Sequence, residues 1–216
     1  MKIFFSAFLV LCLAGCASSP PAPKAPAPTA SSPIFLVRDP VFLLCEAEGL
    51  VAHDAGRQAL LFDQSQQDML ANAKGDASMT ALINEIFRQA REEGLKEHAK
   101  FGAAQFYRCV EREGLTQVRN PNAALCLART DLVFFLNADR TRGKTPEQAN
   151  QGLKNYLQGT SQAVYPHALV DQLTPMVYRI QNEDDHYDLR QFVFQTCLVP
   201  EDWKAWWNST QQGKVE

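Results

Sequence analysis

His53-Asp54 is the one His-Asp dipeptide in the chain, and it is the first place to look for chemistry. Some all-helical metal-dependent hydrolases use such a pair as metal ligands. A centre of that kind needs further His and Asp ligands on neighbouring helices, and no spacing in this sequence assigns them. Of the other histidines, His98, His167 and His186, none stands at a ligand spacing from His53. The plainer reading of His53 is a solvated or locally hydrogen-bonded imidazole. "NEDDHYD", residues 182–188, concentrates Glu183, Asp184, Asp185, His186 and Asp188, all oxygen or imidazole donors. It lacks the central Gly and terminal Glu of an EF-hand loop, and acids at a helix start are explained by capping and the helix dipole. Neither a metal nor a cofactor is therefore expected.

Two further clusters invite a functional reading. "ADRTRGK", residues 138–144, places Arg140, Arg142 and Lys144 at a helix end, where cations complement the dipole. An anionic envelope polymer or partner is the alternative. "EDWKAWW", residues 201–207, puts Trp203, Trp206 and Trp207 on one helical face, either as a latch onto the domain or as a patch for a partner or a membrane interface. No Ser, Cys or Thr can be coupled to a base, and there is no Gly-rich phosphate loop. That leans away from an enzyme, although triads are spatial rather than sequential. With 21 basic and 24 acidic residues interspersed, there is no basic stripe for nucleic acid.

The chain begins "MKIFFSAFLVLCLAGC", with Lys2 followed by an apolar run from Ile3 to Leu13 that only Ser6 breaks. This has the length of a signal-peptide core and falls short of the roughly 20 apolar residues that span a bilayer. Leu13-Ala14-Gly15-Cys16 matches the lipobox at every position, and in this the sequence resembles a bacterial lipoprotein. The resemblance implies export, removal of residues 1–15, and acylation of Cys16. Ala17 and Ser18, with no Asp after the cysteine, imply sorting to the outer membrane; the domain is expected to face the periplasm, with surface exposure as the alternative. An ordinary secretory signal with an accidental cysteine is the competing reading. Residues 17–33, "ASSPPAPKAPAPTASSP", hold six of the twelve prolines. At about 3.1 Å per residue this leash reaches roughly 50 Å when extended.

Four cysteines remain beyond the leader and the anchor: Cys45, Cys109, Cys126 and Cys197. In an exported chain an even number reads as two disulfides, and no close-spaced pair favours zinc. An internal repeat suggests the pairing. "VRDPVFLLC", residues 37–45, returns as "VRNPNAALC", residues 118–126, and the copies close with "FYRC" at 106–109 and "FQTC" at 194–197. Each copy opens and closes on a cysteine, so Cys45–Cys109 with Cys126–Cys197 is the economical pairing among the three possible. Asp-Pro and Asn-Pro are general helix-starting grammar, but the shared Val, Arg, Leu and Cys are not, which favours a duplication.

The elements that must position these residues are helical. Met79, Leu82, Ile83, Ile86, Phe87 and Ala90 follow the amphipathic rule, as do Ala99, Gly102, Ala103, Phe106, Cys109 and Val110. Leu169, Leu173, Met176, Val177 and Ile180 form another stripe, with Pro175 predicting a kink or break. No stretch alternates with period two. The expectation is an all-α chain with helices at 40–61, 65–73, 78–93, 96–113, 122–141, 146–158, 167–181 and 186–198, then a short Trp-bearing helix from Pro200. Asp185 with Asp188 is expected to start the eighth. Two tandem disulfide-braced repeats, 34–117 and 118–216, would form one compact helical domain. The function expected is a protein-binding adaptor, accessory subunit or inhibitor and immunity-type module with an envelope partner; a helical envelope hydrolase, metal-assisted through His53, Asp54 or the 182–188 acids, is the alternative.

Overall fold

In a computed structural model the described residues are 39–115 and 122–198. Eight α-helices follow one another there, and no strand occurs among the described residues: α1 Pro40–Leu60, α2 Gln66–Asn72, α3 Ala77–Glu92, α4 His98–Arg112, α5 Ala123–Thr141, α6 Pro146–Tyr156, α7 His167–Val177 and α8 Glu183–Leu198. None of them is long and apolar enough to cross a membrane. The chain is all-α, as its periodicity predicts. Cys16, the leash, Asn120-Pro121 and the tryptophans at 203, 206 and 207 lie outside the described residues.

Local chemistry explains the helix starts. The Asp39 carboxylate accepts from the Val41 and Phe42 amides at 2.8 and 2.9 Å, and Pro40 occupies the first turn, where a missing N–H costs nothing. Thr145 and Gln148 form the reciprocal capping box ahead of α6. The start of α8 corrects the expectation. Asn182, not Asp185, caps it: its side-chain oxygen takes the Asp185 amide at 2.8 Å, and the Asp185 carboxylate returns to the Gln181 amide at 2.8 Å. Asp185 is thus the downstream half of a box that begins three residues earlier. Helix α7 passes over Pro175 and ends within a turn, at Val177, short of the expected 181. Gly94, at φ +68°, terminates α3 in the left-handed conformation that glycine adopts without strain.

Helices α1 and α4 run antiparallel: Cys45 meets Cys109, Gly49 meets Gly102 and Phe106, and Gly56 meets His98. The crossing is close because glycines line it. A Cβ on Gly102 would stand 2.7 Å from His53 Cβ and 2.9 Å from the Gly49 carbonyl oxygen. The second disulfide, Cys126–Cys197, ties α5 to α8. Both bridges are the pairs the repeat suggests.

The core does not divide between the two halves of the chain. One apolar cluster joins Phe42, Cys45, Phe106 and Cys109 to Cys126, Leu127, Phe194 and Leu198. Its centre is Phe106, whose ring meets Phe42 and Phe194 edge-on at 6.2 and 5.3 Å. The two phenylalanines of the "F-x-x-C" motifs therefore pack on each other.

Candidate functional site: a buried His-Asp-Arg cluster

Helix α1 is buried on more than one face, and its inward positions include polar side chains one or two turns apart: Glu46, His53 and Arg57 are each at most 3 % exposed. Buried charge is costly unless it is paired and hydrogen-bonded, and each of these has a distant partner. His53 Nε2 lies 2.9 Å from Asp131 Oδ1 on α5, and Arg57 donates to the same oxygen at 2.8 Å. His98, at the start of α4, places its Nε2 2.8 Å from Asp131 Oδ2. One carboxylate, 1 % exposed, thus holds two imidazoles and a guanidinium.

The cluster extends across the fold. Arg57 also donates to Asp54, which receives two further bonds from Arg190 of α8 at 2.7 and 2.6 Å. The Arg57 guanidinium lies 4.0 Å over the Phe134 ring, where cation–π attraction offsets part of its lost hydration. Burial alone would raise the Asp131 carboxyl, but hydrogen bonds and charge from His53 and His98 outweigh it and hold the group well below the usual carboxylate range. Burial pushes His53 down, against the pull of Asp131. Near the disulfide end of α1, Glu46 accepts from Gln195 and Gln191 at 2.7 and 3.2 Å. Burial dominates there and raises its carboxyl to about 8, so it is protonated at neutral pH.

The site differs from the expectation in three respects. His53 is neither solvated nor locally bonded; its partner is 78 residues away. Asp54 is not a co-ligand beside it, because Arg57 and Arg190 occupy its oxygens. The 182–188 acids do not join His53: Glu183, Asp184 and His186 line a separate cleft of about 640 Å³ with Asn137 and Arg140. The "ADRTRGK" cations are locally engaged, Arg140 with Asn137 and both Arg142 and Lys144 with Asp139.

The sequence offers His98 only as one of four histidines with no assignable spacing, and it does not mark Asp131, Arg57 or Arg190. One signal was available for Asp131. It sits four residues after Leu127 on the buried stripe of α5, just before the apolar run "LVFFL", and a carboxylate on such a stripe requires a buried partner. Compared with known proteins, the chain matches no family model, no curated protein and no solved structure.

Proposed function

We propose that this chain is a lipid-anchored binding module of the bacterial envelope: acylated at Cys16 in the outer membrane, tethered through its Pro-rich segment, and docking an envelope protein through helix α1. The two halves are read as copies of one disulfide-braced unit that together make a rigid platform. The observation that carries the binding role is the solvent face of α1. Val41, Leu44 and Val51 share one side of that helix and are 37 %, 48 % and 38 % exposed. Their ridge leads into a groove of about 570 Å³ between α1, α2 and α3, walled by Val51, Ala55, Met69, Met79 and Ile83. Asp54, Gln58, Gln64 and Asn72 also line it, and a mainly apolar groove with a few polar groups suits the apolar face of a partner's helix or strand.

A photo-crosslinking residue at Leu44 or Val51, introduced into the full chain in native envelopes, is expected to capture a discrete partner. The same residue at exposed Gln151 of α6 is not. Recovery of the bait alone from both α1 positions would remove the adaptor reading. Incorporation of a clickable palmitate that is lost in Cys16→Ser tests the anchor separately.

The alternative, a metal-assisted envelope hydrolase, draws its support from the convergence of His53, His98 and Asp131 and from nothing in the 182–188 segment. Turnover of envelope polymers that disappears in His98→Ala would favour it over the adaptor.

A further inference from the structure

His53, His98 and Asp131 come from α1, α4 and α5, and one donor atom from each lies within 4.8 Å of the other two. Two imidazoles and a carboxylate are the donors that first-row divalent cations accept when thiolate is not available. Here Cys45, Cys109, Cys126 and Cys197 are closed into disulfides. We propose that these three side chains form a binding site for a divalent transition-metal ion, with Zn²⁺ as the ion their chemistry suits best. The inference stands apart from the docking role of α1 and holds whichever functional reading is correct.

Two observations carry it beyond proximity. The carboxylate is oriented by Arg57, the kind of outer partner that positions a ligating oxygen. Finally, His98 is 17 % exposed against 0 % and 1 % for the other two, which gives the ion an entry side.

Coordination through Nε2 requires each imidazole to move its proton to Nδ1 or release it to solvent. Asp54 and Asp131 already balance Arg57 and Arg190, so a dication adds net charge to a buried place. The fourth ligand, on the His98 side, is therefore an anion: hydroxide, or a small carboxylate or phosphate.

The test uses the purified full-length chain, stripped with a chelator and titrated with Zn²⁺ alone. One saturable site per chain is expected, with a raised unfolding temperature. Co²⁺ in its place should give visible d–d bands without thiolate charge transfer. His98→Ala should weaken binding by at least the roughly 10–100-fold that loss of an outer partner costs, while His167→Ala, at a surface histidine, should leave it unchanged. No saturable Zn²⁺ site in the wild-type chain overturns the proposal without recourse to any variant. So does a site that survives a folded His98→Ala.

Discussion

At the scale of single residues, Asp131 and Glu46 are buried carboxyls in opposite states. Asp131 is ionised and answers three donors; Glu46 is protonated and accepts from two amides. Asp131→Asn removes the charge that Arg57 and both histidines share, leaving a buried guanidinium short of its counter-ion. Breaking a buried pair in this way costs about 3–5 kcal/mol, to be read from urea unfolding at neutral pH. Glu46→Gln should act through pH. The folded chain holds the Glu46 proton more tightly than the unfolded one, so its stabilisation is full below the ordinary value of 4.5 and is lost as pH rises through about 8. The wild type should therefore lose on the order of a few kcal/mol across that window. Thermal unfolding should show Glu46→Gln, which mimics the protonated acid, without this decline. An unchanged slope would place the carboxyl's titration elsewhere.

At the scale of elements, the close crossing of α1 and α4 decides whether the cluster can form. His53 and His98 lie on either side of that crossing with ring centroids 4.7 Å apart, and Gly102 lets the backbones approach. Gly102→Ala improves helix propensity by roughly 1 kcal/mol, yet its Cβ would meet His53 Cβ and the Gly49 carbonyl, neither of which is the free end of a flexible chain. Overpacking of this kind costs about 1–3 kcal/mol or more, so net destabilisation is expected. Nitrogen-15 NMR of the imidazoles should report altered His53 and His98 environments at the same time. A Gly102→Ala chain as stable as the parent would mean the crossing is looser than its distances imply.

At the scale of the whole molecule, covalent loops and a shared core act together. The two disulfides close 64- and 71-residue separations, each contributing about 4 kcal/mol in the chain-entropy model. Each bridge joins two helices of one half, whereas Asp54–Arg190, Asp131 with His53 and His98, and Phe106–Phe194 join the halves. Non-reducing peptide mapping should therefore recover Cys45 with Cys109 and Cys126 with Cys197. Reduction should lower the unfolding temperature steeply without splitting the transition in two, since the core belongs to both halves. Two resolved calorimetric peaks would contradict that.

The helical class, most helix starts and the cysteine pairing were legible in the residues, because periodicity, capping and Pro placement are local and the repeat brackets each cysteine pair. The exceptions were local too: Asn182 and Asp185 compete for one helix start, and the side-chain geometry chooses between them. The candidate site was another matter. In the sequence His53 stands out for its neighbour Asp54, but its hydrogen-bond partner is Asp131, and the pairing depends on three helices meeting at a glycine-lined crossing. By itself the sequence determined which segments are helical and which cysteines bracket them. Only the tertiary structure decided which buried charges meet, because an ion pair 78 residues apart is set by packing rather than by any short-range preference of the chain.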